Sequence, residues 1–250
     1  MEIKRILIPD ENYDGAAINT ALQLLGGLIA QDDDIRECVL LIPVKANIQG
    51  TTLSAVLGDN VSKALHKGQS LKLGTGNLRL ETSRSFSRLT KGHAILVVYA
   101  NQKMMDVVDS NNNFKHVISV PESYEDVKEW ARTWSPIVPG EEPNETRIID
   151  NKVIEAALKS ITSSINLSNR ILNPRDKEAV NDAFRILKAN SQYEDPVNIR
   201  AWCIKNGWDS KGADEAMKLA NKAFSLKSKP SKYGHHWADN VYQKWLKESK

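Results

Sequence analysis

A proline-rich segment at residues 135–146 constrains the fold of this chain most, because the sequence pattern differs on its two sides. The segment contains three prolines and shows no helical period. Before it, short apolar runs alternate with helical patterns, whereas only helical patterns follow it. This change predicts two domains, at residues 1–135 and 147–250, joined by a linker at residues 136–146.

The first part shows the alternation of strands and helices that is typical of α/β domains. Its most apolar run, Ala94–Tyr99, has no polar alternation and is predicted to be a central strand buried on both faces. Gly74-Thr75-Gly76-Asn77 lies between two leucine-rich runs and predicts a β-hairpin or an edge excursion. Further strands are expected at residues 3–8, 38–44 and 117–120, and helices at 15–25, 52–66, 104–108 and 124–134. We therefore expect a Rossmann-like α/β domain with a mainly parallel, doubly wound sheet.

The second part contains apolar residues at the i, i+3, i+4 spacing of amphipathic helices. The sets are Ile154, Ala157, Leu158, Ile161 and Ile165; Val180, Ala183, Phe184 and Leu187; Ile199, Trp202 and Cys203; Ala213, Ala216, Met217, Ala220 and Phe224; and Trp237, Val241 and Trp245. They predict a small all-α domain. Within it, residues 199–212 break at Gly207 and predict a helix-turn-helix-like pair.

Charge is distributed unequally between the two parts. Residues 1–150 carry 16 Lys/Arg and 20 Asp/Glu, a net charge of −4, whereas residues 151–250 carry 18 and 11, a net charge of +7. A basic surface on one domain is typical of proteins that contact nucleic acid or an acidic protein partner. The residues predicted to contact phosphates are Arg200, Lys205, Lys211, Lys218 and Lys222.

The helix pair resembles the C-terminal DNA-binding domain of the actinobacterial histone-like xenogeneic silencers. The resemblance rests on Ile199, Arg200, Trp202, Asn206, Gly207 and the alanines that continue to Phe224. In that family an Arg-Gly-Arg after the Asn-Gly enters the minor groove, so the resemblance implies DNA binding by the residues that follow Gly207. This chain departs from the family there, with Lys211-Gly212-Ala213 followed by Asp214-Glu215. The alternative is a packed helical hairpin with Trp202 and Trp208 in its core.

The chain also resembles an uncharacterised bacterial family that joins an α/β region to a segment of the form Ile-Arg-Ala-Trp-x-x-x-Asn-Gly-Trp. The segments that carry the resemblance are Tyr124–Trp134 and Asn166–Gly207. It implies the two-domain architecture and no particular activity.

A ligand site is expected where the strands end, because doubly wound sheets bind ligands beyond the carboxyl ends of their strands. The loop after the first strand holds Asp10 and Asp14, whose carboxylates are suited to bind Mg²⁺ or to act as a general base. The alternative is that Asp14 only caps the following helix. The residues predicted to bind a small anionic ligand at this edge are Asn12, Thr51, Thr52 and Asn101.

Other classes of site have less support in the sequence. Cys38 and Cys203 lie in apolar runs without metal-type spacing, which predicts buried free thiols in a reducing cytoplasm. The five histidines lack zinc-ligand spacing, and no motif identifies a cofactor. No apolar run approaches the ~18 residues of a membrane span. We therefore favour a cytoplasmic protein without a metal or membrane site, with metal binding by Asp10 and Asp14 as the alternative.

Three hypotheses about function follow. The favoured one is an accessory protein that binds nucleic acid or a partner protein through the basic helical domain, with an α/β domain that senses a ligand or serves as a scaffold. The first alternative is a metal-dependent enzyme that acts on nucleotides or phosphoesters through Asp10 and Asp14. The second is a structural adaptor that self-associates through its tryptophan-bearing helices.

Overall fold

The computed structural model of the chain describes residues 3–9, 13–142, 147–167, 173–231 and 236–250. Contacts divide the chain into two compact units, Met1–Asn144 and Glu145–Lys250. The first unit is an α/β domain and the second is helical, which confirms the predicted fold class.

The α/β domain is built on a mainly parallel sheet. Its described strands are β1 (Lys4–Leu7), β2 (Glu37–Ile42), β3 (Leu71–Leu73), β4 (Gly76–Thr82), β5 (Ala94–Ala100) and β6 (His116–Pro121). They pair in the order β1-β6-β5-β2-β4-β3, and all neighbours are parallel except β3 and β4. The antiparallel pair confirms the hairpin predicted around Gly74, and β5 is the predicted central strand.

Helices cover both faces of this sheet. They are α1 (Ala16–Gln31), α2 (Thr52–Leu57), α3 (Asp59–His66), α4 (Gln102–Asp109) and α5 (Lys128–Trp134). Leu96 of β5 packs in an apolar core with side chains of α1, α2 and α3. The next residue, Val97, packs in a second core with side chains of α4 and α5. Because successive side chains of a strand point to opposite faces, one strand contributes to both cores.

The helix predicted at residues 52–66 is two helices, because Gly58 interrupts it. Gly58 has φ +79 and lies between the last residue of α2 and the first residue of α3. Glycine adopts this positive-φ conformation without the steric cost that a side chain imposes. The chain therefore changes direction in the middle of the predicted segment.

The α/β domain continues past the predicted start of the linker at residue 136. The N–H of Ile137 donates to the carbonyl oxygen of Arg5, and the N–H of Leu7 donates to that of Ile137, both at 2.9 Å. This bridge satisfies backbone groups of β1 on the side away from β6. The first residues of the predicted linker 136–146 thus belong to the sheet, and residues 143–146 lie outside the described ranges.

The second unit contains five described helices, and four of them start at a capping side chain. They are α6 (Lys152–Ser164), α7 (Pro174–Ala189), α8 (Pro196–Lys205), α9 (Ser210–Phe224) and α10 (Val241–Glu248). The capping side chains that accept an N–H from the first turn are Asn151, Asn173, Asp195 and Asp209. Proline occupies the first position of α7 and α8, where no N–H partner is needed.

A single apolar core holds these helices together, and tryptophans are prominent in it. Trp237 and Trp245 meet edge to face with ring centroids 5.7 Å apart. The indole N–H of Trp237 donates to the carbonyl oxygen of Ala179 at 2.8 Å, and that of Trp245 donates to Ser160 Oγ at 3.0 Å. Both rings are buried in the core of their own domain. They are therefore not exposed for the self-association that the adaptor hypothesis requires.

Candidate functional site

The helix pair predicted at residues 199–212 is formed by α8, a short turn and α9. Gly207 in the turn has φ +88, and the backbone N–H of Trp208 donates to the carbonyl oxygen of Cys203 at 3.0 Å. Asp209 then accepts the N–H of Gly212 at 2.7 Å and starts α9. The break at the glycine is thus a helix end followed by a new helix cap.

Both tryptophans of this pair lie in the core of the domain. Trp202 is 6% exposed and Trp208 is 5% exposed. The indole N–H of Trp208 donates to Thr162 Oγ1 of α6 at 3.0 Å. This is the packing that the hairpin alternative predicts.

Arg200 is not available as a surface phosphate contact, which corrects the prediction for this residue. It is only 4% exposed, and its Nε lies 2.6 Å from Asp214 Oδ1. The five residues 199–203 are all buried, so α8 has no polar face toward solvent there. An arginine in such a helix needs a carboxylate partner inside the domain, and α9 supplies it.

The other predicted phosphate contacts, Lys205, Lys211, Lys218 and Lys222, are exposed. The last three are seven and four residues apart and therefore lie on one face of α9. The residues that α9 buries on its opposite side are mainly small: Gly212, Ala213, Ala216, Ala220, Ala223 and Phe224. We refer to Lys211, Lys218 and Lys222 as the lysine face of α9.

The two acidic residues beside the lysine face are both engaged in ion pairs. Asp214 contacts Arg200, as described above, and Glu215 Oε1 lies 3.2 Å from Lys177 Nζ of α7. Their charges are therefore balanced within the domain. The positive charge of the lysine face is not offset by them.

The carboxyl edge of the sheet, where the parallel strands end, contains those predicted ligand residues that the structure describes. Asp10 and Asn12 lie outside the described residues. Asp14 is exposed, and its Oδ1 accepts the N–H of Ala16 at 2.8 Å. Asn101 accepts the N–H of Met104 at 3.2 Å and starts α4. Asn101 is thus the N-cap of α4, whereas Asp14 precedes Gly15, the N-cap of α1, and bonds to the first residue of that helix.

Most donors at the start of α2 that could bind an anion already have protein partners. Thr51 N–H donates to Ser54 Oγ at 2.9 Å, and Thr51 Oγ1 donates to the carbonyl oxygen of Asn47 at 2.7 Å. The N–H of Leu53 donates to the hydroxyl of Tyr99 at 3.0 Å. Thr51 and Leu53 therefore offer no free backbone N–H to an anion, and anion binding at Thr52 stays a prediction.

The structure brings Gly15, which directly precedes α1, close to the first turns of α2. Gly15 has φ +86, and a Cβ at this position would lie 2.7 Å from Val56 Cγ2 and 3.0 Å from Thr52 Cγ2. The first residues of α1 and α2 therefore touch at the carboxyl edge. Only glycine permits so close an approach.

Tyr99 is a residue of this edge that the sequence analysis missed. It has φ +56 and lies at a β-bulge in the pairing of β5 with β6. The bulge places Tyr99 on the same side as Val98, toward α2, whereas Ala100 faces the opposite core. β5 and β2 are neighbours whose following helices cover opposite faces, which makes this the switch point of the sheet. A strained backbone at such a point is a feature of ligand sites.

A second missed cluster surrounds the buried carboxylate of Asp109. The indole N–H groups of Trp134 and Trp130 donate to it at 2.7 and 3.3 Å, and Arg5 NH2 lies 3.6 Å away. The Arg5 guanidinium also stacks 3.4 Å above the Trp134 ring. Burial raises the pKa of Asp109 to about 6, against the opposing effects of Arg5 and the two indoles. The cluster joins β1, α4 and α5.

Metal-type clusters and membrane-spanning helices are absent from the described ranges. No group of three or more His, Cys, Asp or Glu side chains there is arranged to hold a metal ion. No helix in that part of the chain is long and apolar enough to cross a membrane. Cys38 and Cys203 are buried free thiols, as predicted, and burial raises the pKa of both.

The match to a known protein family lies in the helical domain. Residues 150–246, which are less than half of the chain, match the model of a family described as a domain of unknown function, DUF1889. No curated protein and no solved structure matches the chain.

Proposed function

We propose that the helical domain binds nucleic acid through the lysine face of α9 and does not read its sequence. The observation that supports this most is that three exposed lysines share one helix face while the adjacent acids are paired elsewhere. Phosphate contacts of this kind supply most of the affinity in sequence-independent binding.

The spacing of these lysines fits a phosphate backbone. At 1.5 Å per residue, Lys211 and Lys222 lie about 16 Å apart along α9. Each strand of a DNA duplex carries one phosphate per ~3.4 Å of its axis. The three lysines can therefore reach different phosphates. Lysine contacts phosphates as a flexible point charge, so we expect affinity that depends on charge and not on base sequence.

Arg200 and Lys177 support this function indirectly. A free carboxylate at Asp214 or Glu215 would repel a phosphate backbone near α9. The ion pairs of these acids with Arg200 and Lys177 remove that repulsion. Arg200 thus acts through Asp214 and not by direct contact.

A salt titration of binding tests the proposal. The full chain is titrated with a short random-sequence DNA duplex at several salt concentrations, alongside the triple variant Lys211→Gln, Lys218→Gln, Lys222→Gln. Each phosphate contact contributes about 0.9 to the slope of log affinity against log salt. The variant should therefore lower the steepness of this slope by roughly three.

The control is a triple variant in the α/β domain, Lys63→Gln, Lys67→Gln, Lys103→Gln. These lysines are also exposed, so the net charge of the chain changes by the same amount. The control should keep the wild-type slope. An equal loss in both variants, or an affinity that does not change with salt, would reject the proposal and leave an acidic protein partner as the occupant of the lysine face.

A small ligand at the carboxyl edge is a second candidate function, favoured by Tyr99. The Tyr99 hydroxyl accepts the N–H of Leu53 and retains its own proton for donation. A ligand there must offer an acceptor, such as a phosphate oxygen or a ring nitrogen. The enzyme alternative needs Asp10, which lies outside the described residues, and it stays a prediction.

AMP is a suitable first probe, because it offers both kinds of acceptor. Amide chemical shifts of Tyr99 and Leu53 should change during a titration with AMP, and Tyr99→Phe should remove these changes. Tyr124→Phe is the control, since Tyr124 is 52% exposed and lies on the loop after β6. Unchanged shifts in the wild type, or identical titrations of both variants, would contradict an AMP-like ligand at Tyr99.

A further inference from the structure

A groove of about 660 Å³ lies between α6 and α10 in the helical domain. Five of its lining residues have cationic side chains and two have carboxylates. None of them belongs to α8 or α9, so the groove is separate from the lysine face of α9. A concave surface with surplus positive charge concentrates its electric field on a bound anion.

The α6 side of the groove holds its cations in defined positions. Glu155 Oε2 accepts from Arg147 NH2 at 2.7 Å, and Glu155 Oε1 lies 2.8 Å from Lys159 Nζ. The hydrogen bonds from Lys159 and Arg147 lower the pKa of Glu155. One carboxylate thus orders two cations and leaves one positive charge in surplus. Lys152, which is exposed, adds another and has no ion pair within the described residues.

The α10 side adds a weakly paired cation and a hydroxyl donor. Lys244 Nζ lies 3.7 Å from Glu248 Oε1, and both side chains are largely exposed, so the pair contributes little. Ser160 Oγ accepts the indole N–H of Trp245 and retains its own proton. The groove therefore offers ammonium, guanidinium and hydroxyl groups, which are the usual donors to phosphate oxygens. Among the residues that the structure describes, its lining contains no aromatic side chain on which a base could stack.

We propose that the α6–α10 groove binds backbone phosphates of nucleic acid, as a second contact surface of the helical domain. The inference rests on the proposed function, because the same polyanion would contact both surfaces. The groove recognises phosphate oxygens, and the nucleic-acid backbone is the source to which we commit.

Glu155→Gln gives a test in which binding should improve. The substitution removes the carboxylate that neutralises Arg147 or Lys159, so duplex binding should tighten and the salt slope should steepen by roughly one. Damage to the fold would instead weaken binding. The double variant Lys152→Gln, Lys244→Gln should lower the steepness by roughly two, whereas the control Lys67→Gln, Lys103→Gln should leave it unchanged.

The outcomes separate this inference from the proposed function. If only the α9 variant changes the slope, the groove inference is wrong and the proposed function stands. If only the groove variants change the slope, the groove inference stands and the proposed role of the lysine face of α9 is wrong. The last probe is inorganic phosphate alone, and its binding is measured by the amide chemical shifts of α6 residues. If Lys152→Gln, Lys244→Gln removes phosphate binding but leaves duplex binding unchanged, the groove binds free phosphate and the nucleic-acid inference is overturned.

Discussion

The carboxyl edge of the sheet and the lysine face of α9 use their polar side chains in different ways. At the edge, Asp14, Thr51 and Asn101 each accept a backbone N–H near the start of a helix. On α9, the three lysines form no ion pair or side-chain hydrogen bond with any described residue. Short polar side chains next to a helix start bond to local backbone, whereas long side chains in the middle of a helix extend into solvent. The edge residues therefore stabilise the fold, and the lysines are available to a partner.

The largest effect on stability should come from Gly15→Ala. Left-handed backbone strain and the contacts with Val56 and Thr52 should together lower the free energy of unfolding by about 3 kcal/mol. Gly68→Ala is the control, because Gly68 ends α3 with φ +81 and no atom near its Cβ position, and it should cost about 1–2 kcal/mol. Urea unfolding measures both. Equal losses would contradict the close packing of α1 against α2, and duplex affinity should not change in either variant.

A pH dependence should follow from Asp109. Its folded pKa of about 6 lies above the ordinary value of about 4, so the folded state binds this proton more tightly than the unfolded state. Stability from this group is present at low pH and is lost as the pH rises from about 4 to about 6, by about 2–3 kcal/mol. Asp109→Asn should flatten this part of the stability curve in urea unfolding. An unchanged curve would show that Asp109 does not carry the dependence.

Two charge-neutralising variants of α9 should differ in stability but not in binding. Asp214→Asn deprives the buried Arg200 of its carboxylate, and because the Asp214 side chain is 41% exposed we expect a cost of about 2 kcal/mol. Glu215→Gln breaks a surface pair and should cost less than about 1 kcal/mol. Thermal unfolding measures the difference. Both variants should tighten duplex binding to a similar degree, and opposite shifts in affinity would count against the proposed role of α9.

The smallest changes in stability should distinguish the carboxyl edge of the sheet from the lysine face of α9 most clearly. Thr51→Ala removes the cap of α2 and should cost about 1 kcal/mol with unchanged duplex affinity. The triple lysine variant of α9 should change stability by no more than about 0.5 kcal/mol while it weakens binding. Melting curves and binding curves on the same samples test this. A Thr51→Ala variant that also loses affinity would break the comparison.

Features that depend on local sequence were predictable. The sheet was predictable from the apolar run of β5 and the glycine-containing hairpin, because buried strands require apolar residues and tight turns favour glycine. The helical domain was predictable for the same reason, since its apolar spacing is regular and its helix starts carry Asn, Asp and Pro. The exposure of Lys211, Lys218 and Lys222 followed from their position opposite the small buried residues of α9.

Features that depend on contacts between residues far apart in the sequence were not predictable. Arg200 looks like a surface cation in the sequence, and only the packing around α8 shows that it is buried against Asp214. Tyr99 ends an apolar run and looks like an ordinary strand residue in the sequence. Its bulge depends on the pairing of β5 with β6 and cannot be predicted from one strand alone. Asp109 gives no signal either, since its partners come from β1 and α5.

The two buried cysteines make the opening of each domain measurable on its own. Cys38 lies in β2 of the α/β domain and Cys203 lies in α8 of the helical domain, and both are 0% exposed. A thiol reagent can modify either one only after the surrounding core opens and its thiolate forms. The labelling rate of each cysteine, read by mass spectrometry of its peptide, therefore reports the local opening equilibrium of one domain in the intact chain. A nucleic acid bound to the helical domain should slow labelling at Cys203 and leave the rate at Cys38 unchanged.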